Sequence, residues 1–423
     1  MRATVTIAVV VLLLVPGAGR GRLVAGQQDA AGADDPVAVL VGRLDLERYK
    51  AVIRGLTQFG DRRQGTRRNR EAVDWIEAQL EAAGCATERH HYTYDPPPRP
   101  PGGAAAGRRR AGARPLNPPG PIPTGGRIGR NGSGPGGSSI FGYRRPTGVV
   151  RDPLAQPDEA LRARNLEEPT NGARSQVYCT RVGAARPDEM YILGAHMDGH
   201  GFGEAADDDA SGTALVMELA RILSAPDVRT AVSIRFALWN DEETGLNGSR
   251  AYVADRRELQ GVEEPPGSGR YPEPRWLGMI QHDMMLFDHG APGPDGEVSP
   301  RQRREADINI EFQSRSDLAD ASRELAFRFK AANDAYATDY PAAVGPHMTN
   351  TDSTPFMNLT PSISLRENER GMHIGAGWNP HWHQPTDLYR TYDDDDFRLG
   401  LNAAQTTLAA IAELAGATII APR

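Results

Sequence analysis

The stretch YILGAHMDGHGFGEAADDDASGTALVMELARIL, residues 191–223, is the part of the chain from which the rest is read. It opens with apolar Tyr191, Ile192 and Leu193, which predict a buried strand ending at Gly194-Ala195-His196-Met197-Asp198. A polar, glycine-rich loop follows, then Asp208-Asp209-Ala210-Ser211-Gly212. Beyond it, Leu215, Val216, Leu219, Ile222 and Leu223 recur at helical spacing. A strand therefore ends in His-x-Asp, and a helix begins just after an Asp pair. Ligands of open α/β sheets sit beyond the carboxyl ends of strands, and His and Asp are zinc-ligating side chains. Each feature alone has an ordinary reading: His-x-Asp arises by chance, and an Asp ahead of a helix is commonly an N-cap. The question is whether later strands end the same way.

They do. The apolar run VSIRFALW, Val232–Trp239, ends at Asn240-Asp241-Glu242-Glu243-Thr244-Gly245. A third run, residues 276–281, ends at His282-Asp283, and a loop near the C-terminus carries His381-Trp382-His383-Gln384-Pro385-Thr386-Asp387. Acidic groups gathered at one sheet edge repel one another, and burying them unpaired is costly. Divalent cations resolve that repulsion, and two ions about 3.5–4 Å apart form a hydrolytic clamp.

Around these strands, residues 35–58 read as one helix or two, and residues 67–83 as a helix closed by Gly84. Residues 85–94 and 175–182 have strand character. Residues 248–259, 317–336 and 394–415 read as helices, 307–312 as an outer strand and 362–365 as a short strand. The alternation predicts an α/β fold, a three-layer sandwich with a central mixed, mostly parallel sheet.

Of 423 residues, 39% are hydrophobic and 24% charged, enough for a substantial core. The net charge of −7 gives no reason to expect nucleic acid as a partner. An apolar run from Val5 to Val15 is too short to span a bilayer comfortably and, with Val24-Ala25-Gly26 behind it, reads as a secretory signal peptide over residues 1–26. Export to a periplasm or the medium is expected, with no stable membrane anchor after cleavage. From about Pro96 to 172 the chain is dominated by Pro, Gly and Arg, and reads as a largely disordered insertion unable to offset its ordering entropy. Cys85 and Cys179 are the only cysteines. In an oxidising compartment they can pair or remain two buried thiols. If the strands that carry them are adjacent, a disulfide is within reach.

Five motifs in order give the chain a resemblance to metallopeptidase family 28, the co-catalytic di-zinc aminopeptidases, whose relatives include carboxypeptidase Q and the glutaminyl cyclases. They are Gly194-Ala195-His196-x-Asp198; Asp208-Asp209-x-Ser211-Gly212; Asp241-Glu242-Glu243-x-Gly245-Leu246-x-Gly248-Ser249; Asp352-Ser353-x-x-Phe356; and His383 followed by Asp387. The resemblance implies one zinc-peptidase domain over residues 27–418, interrupted by the insertion, with two Zn2+ as cofactor. It implies that His196, Asp208 and Asp283 hold one ion, and that Asp208, Glu243 and His383 hold the other. Glu242 is then the general base that takes the proton of the attacking water. Asp198 stands behind His196 and orients it, and Asp209 and Asp387 likewise stand behind the ligands. A cis peptide bond after Asp208 is also implied. The chain departs from the family pattern in places. Asp207 makes three Asp in a row, and the count to Ser211-Gly212 favours Asp208. His282 is a competing donor beside Asp283. His200 and His381 read as supporting or surface residues. The implied function is an exported zinc exopeptidase, an aminopeptidase acting on peptide substrates. A dipeptidase or carboxypeptidase of the same fold and a single-zinc glutaminyl cyclase are the alternatives.

Overall fold

The computed structural model describes residues 35–95, 149–290, 298–346, 350–367 and 379–420. The signal peptide reading and residues 96–148 of the insertion lie outside them. Among the described residues, eight strands form one sheet: β1 (Thr87–Tyr94), β2 (Gly172–Arg181), β3 (Arg186–His196), β5 (Val232–Trp239), β6 (Arg275–His282), β7 (Ile308–Phe312), β8 (Ala342–Pro346) and β9 (Ser362–Arg366). β4 (Val228–Arg229) and β10 (Thr418–Ile419) make a separate antiparallel pair.

The strand order is β1-β2-β5-β3-β6-β9-β7-β8. β3 lies between β5 and β6 and is parallel to both, so three carboxyl ends sit side by side. β9 continues the parallel run beside β6. β1 and β2 add antiparallel strands on one side, and β7 runs antiparallel to β9 on the other. The segment 308–312, which reads as an outer strand, is second from the edge, because β8 lies outside it. β8 is hard to see in sequence: Gly345 and Pro346 are poor strand formers, and Pro is tolerated on an edge where no partner needs its missing N–H.

The helices are α1 (Pro36–Val41), α2 (Leu46–Thr57), α3 (Arg67–Ala82), α4 (Glu159–Asn165), α5 (Ala210–Leu223), α6 (Asn247–Arg256), α7 (Ala319–Tyr336) and α8 (Asp394–Leu414). Several of their starts follow ordinary capping chemistry. Asp45 accepts from the Arg48 N–H, Thr66 from Asn69 and Asp209 from Gly212. Asp393 and Asp396 close a capping box on α8. α5 is buried on nearly every face. Full burial of Leu215, Leu219 and Leu223 stabilises by roughly 1.5–3 kcal/mol each. The main core on that face of the sheet also takes in side chains of α1, α2, α3, α7 and α8. On the other face Tyr178, Trp239, Tyr252 of α6, Trp276 and Phe356 form a second, aromatic core. Together these make the three layers. Among the described residues no helix is long and apolar enough to cross a membrane.

Composition assigns the stretch up to residue 172 to the insertion, but residues 149–171 are ordered. They hold a 3-10 turn, Pro153–Ala155, and α4, capped by Asp158. Two buried amides anchor them. Gln156 donates to the Phe202 and Pro385 carbonyls, and Asn165 donates to Gly203 while accepting from the Asp61 N–H. Composition misses such an anchor because a few buried hydrogen bonds, not apolar content, hold the segment. Cys85 and Cys179 form a disulfide with Cα atoms 5.7 Å apart. β1 and β2 pair directly, with Thr87 opposite Cys179.

Candidate metal centre

His196 is the last residue of β3. Its Nδ1 faces the Asp198 carbonyl at 3.0 Å, which turns Nε2 outward. Nε2 lies 3.1 Å from Asp208 Oδ1 and 3.9 Å from Asp283 Oδ1. On the other side of Asp208, Oδ2 lies 3.0 Å from His383 Nε2, which is also 3.0 Å from Glu243 Oε2. Asp208 thus gives one oxygen to each of two donor clusters. One is His196, Asp208 and Asp283; the other gathers His200, Glu243 and His383. Within each, the donor atoms lie within 4.8 Å of one another.

The three consecutive aspartates have different work. Asp207 Oδ1 accepts the Met285 and Leu286 N–H groups, and its Oδ2 accepts from Asn379. Asp209 Oδ1 caps α5 at Gly212 and accepts from Met284, while its Oδ2 accepts the His196 N–H. Only Asp208 turns both oxygens to histidines. The Asp208–Asp209 peptide bond is cis. Asp387 accepts the Asp207 and Asp208 N–H groups and the Tyr392 hydroxyl. It therefore holds the Asp208 backbone in place.

The Asp198 carboxylate is not what orients His196. Its Oδ1 is 3.9 Å from Nδ1, and the carboxylate instead accepts the Glu242 and Glu243 N–H groups at 3.0 and 3.4 Å. It ties the end of β3 to the acidic turn after β5. His282 is consumed elsewhere: Nδ1 meets the Gly194 carbonyl and Nε2 meets the Thr407 hydroxyl. Asp283 is the donor from that strand end, and Arg366 takes its Oδ2 at 2.7 Å, leaving Oδ1 toward His196. His381 pairs with Thr386 Oγ1 and stands outside both clusters.

The turns bearing the donors are unusual backbone. Phe202, Ala205, Asp241, Met284 and His383 all have positive φ without being glycine. Such residues cost of order 1–3 kcal/mol each and gather where the surroundings over-determine them, as at functional sites.

Electrostatics define the demand. Burial pushes Asp198 up to about 8 against the pull of His196, with Glu243 and Asp241 adding repulsion. Burial raises Glu242 well above the ordinary carboxyl range, and Glu243, Asp352 and Asp283 add to that. Burial works against charged His383, but Glu243 and Asp208 outweigh it and push it up to about 10. Burial also opposes ionised Glu243, but His200 and His383 overcome it and hold it down at about 2. Two buried donor atoms here, Glu243 Oε1 and His200 Nε2, make no hydrogen bond among the described residues. Three imidazoles and three carboxylates with orphaned, converging atoms are a donor set that suits zinc.

His200, which the sequence reads as a supporting or surface residue, joins Glu243 and His383 in the second cluster. Its available signal was the alternation Gly199-His200-Gly201-Phe202-Gly203 just after the first ligand. Arg366, Asn379 and Gln156 carried no local signal at all.

The family model of peptidase family M28 matches residues 176–407. The probable lipoprotein aminopeptidase LpqL of Mycobacterium tuberculosis is 40% identical over 93 residues, 21% of this chain and 18% of its own. A probable zinc metalloprotease of Pyricularia oryzae is 40% identical over 159 residues, 33% of this chain and 30% of its own. Aminopeptidase YwaD of Bacillus subtilis is 42% identical over 67 residues, covering 16% and 14%. The aligned stretches span less than a third of each of these relatives. Among solved structures, the aminopeptidase from Aneurinibacillus sp. strain AM-1 superposes with a TM-score of 0.55 at 19% identity, over 92% of this chain and 98% of that one. A zinc aminopeptidase from Bacillus subtilis gives 0.54 at 14% identity, over 88% and 95%. These two likenesses show the shared fold.

Proposed function

The chain belongs to peptidase family M28, and we propose that it is an exported di-zinc aminopeptidase that hydrolyses N-terminal peptide bonds. In this reading residues 1–26 are removed and residues 27–418 form a single peptidase domain. The observation that carries the reading is the shared carboxylate: Asp208 stands about 3 Å from His196 through one oxygen and from His383 through the other. A single-zinc cyclase needs one donor set, and here two meet at Asp208.

His196, Asp208 and Asp283 would hold one zinc, and Asp208, Glu243 and His383 the second. Bound zinc would supply a water acidified toward ~7 and would offset charge on the scissile oxygen. Glu242 supplies the proton transfer. Its carboxylate takes the proton of the attacking water and returns it to the leaving amine. An elevated pKa makes a carboxylate a stronger base toward the attacking water, and burial raises Glu242 in that direction. Arg366 keeps Asp283 on one oxygen, and Asp198 holds the backbone that presents Glu242 and Glu243.

The test is a panel of aminoacyl chromogenic substrates beside an N-blocked peptide, with and without chelator and added zinc. Turnover of free-amine substrates only, lost with chelator and restored by zinc, is expected. Cleavage of the blocked peptide at its C-terminal end supports the carboxypeptidase alternative instead.

A further inference from the structure

We propose that His200 is a zinc ligand that closes the second ion's coordination and so makes the two sites unequal; the proposal rests on the di-zinc reading above. His200 Nε2 lies 3.0 Å from Glu243 Oε2, and its ring stands edge-on to His383 with centroids 4.1 Å apart. The nitrogen is buried and close to a carboxylate, yet it is not aligned for a hydrogen bond. Glu243 Oε1 is likewise buried without one. The imidazole nitrogen thus has the Glu243 carboxylate as an ion-pair partner but no aligned hydrogen bond, and leaving Glu243 Oε1 buried with no partner is costly. Donor atoms that converge on one another in this way, with one of them unsatisfied, are what a shared cation requires.

His200 is held there by its loop. Gly201 has a φ of +96°, and a Cβ on it would lie 2.4 Å from the His383 carbonyl. A Cβ on Gly203 would lie 2.7 Å from the Gln384 oxygen. Only glycine lets the His200 loop fall against the His383 loop this closely. The loop is then clamped. The buried Arg62 guanidinium donates to the carbonyls of Met197, Glu204 and Ala205, Gln156 to Phe202, and Asn165 to Gly203. Gln156 also donates to Pro385, on the His383 loop. This anchoring fixes the imidazole rather than leaving it as a mobile surface group.

With His200 included, the second ion has four protein donors: Asp208, Glu243, His383 and His200. The first has three: His196, Asp208 and Asp283. Four-donor zinc sites are closed, whereas catalytic sites keep three protein ligands and an open position. The open position therefore falls on the His196–Asp283 side, and the second ion serves as the anchor of the pair.

The test is zinc stoichiometry and affinity of the full mature chain, by dialysis and elemental analysis and by competition with a chromophoric chelator. Wild type, His200→Ala, His200→Gln and His383→Ala are compared, with folding checked by circular dichroism. Wild type is expected to hold two ions. Both His200 variants are expected to weaken one of the two by at least about tenfold and leave the other unchanged. Cobalt-substituted wild type should show four-coordinate visible bands that weaken in both variants. Two ions bound with wild-type affinity in folded His200→Ala overturn the ligand assignment while leaving the di-zinc reading intact. A loss in the alanine variant alone, with His200→Gln normal, marks a packing defect and also overturns it. A wild type that holds one ion, or a His383→Ala that holds two unchanged, brings down the di-zinc reading itself and this proposal with it.

Discussion

Two buried charged clusters lie on this one sheet and solve the same energetic problem in opposite ways. Toward the amino ends of the central parallel strands, the Arg235 guanidinium meets Glu273, Tyr252, the Thr180 hydroxyl and the Pro272 carbonyl. Tyr252 and the Trp276 indole also donate to Glu273. Arg235 and Glu273 are essentially inaccessible, at 1% and 0% side-chain exposure. Every charge there has its counter-charge in the chain. At the carboxyl ends, carboxylates and imidazoles converge with orphaned atoms. Buried charge is stable when paired or metal-bound. The first cluster is complete from within, and the second calls for a cation from outside. A buried charge marks a functional site only when its partners within the chain fall short.

Four experiments break or sharpen that contrast. The largest effect belongs to metal removal. Chelation should take turnover to background, with zinc restoring it, as measured by initial rates on a free-amine substrate. Full activity in a sample shown by elemental analysis to be metal-free would end the contrast. Next is Glu242→Gln, which removes the proton shuttle and keeps the donors. It should lower kcat by about 10²–10⁴-fold while zinc content stays at the wild-type level. Near-normal kcat in the zinc-replete variant takes Glu242 out of the mechanism.

The paired cluster should respond in stability, not in metal content. Glu273→Ala leaves Arg235 buried without its counter-charge and should cost roughly 3–5 kcal/mol of unfolding free energy. Denaturant titration reads the cost, and zinc per folded molecule should not change. A loss of zinc in that variant would show that the two clusters are coupled. The smallest effect is expected of Tyr252→Phe, which deletes the hydroxyl that donates to the buried Glu273 carboxylate and accepts from Arg235. About 1.5–3 kcal/mol is expected, as for a bond to a charged group. A cost as large as that of Glu273→Ala would mean that the tyrosine, not the ion pair, holds the cluster.

Much of this was legible beforehand, because some signals are local. VSIRFALW reads as a buried strand, and β5 spans Val232–Trp239. The spacing of Leu215, Leu219 and Leu223 predicts the helix that is α5. β8 was not legible, since its residues are weak strand formers recruited by pairing with β7. Nor was the ordered stretch 149–171, which buried amides at Gln156 and Asn165 hold. In the candidate centre, His196, Asp208, Glu243, Asp283 and His383 come together as donors, whereas the sequence reads His200 as a supporting or surface residue.

The sequence by itself determined the chemistry available at each strand end, since strand, ligand-type side chain and helix start follow one another within a few residues. Only the tertiary structure decided which side chains keep their donor atoms free. His282 spends both nitrogens, one on Gly194 and one on Thr407, 125 positions away. Asp207 is used up by Asn379 and the backbone after β6, while Asp208 is not. His200 becomes a candidate ligand because two glycines let its loop lie on the loop of His383. A donor's availability depends on partners brought near by the fold, and those partners are far away in the chain.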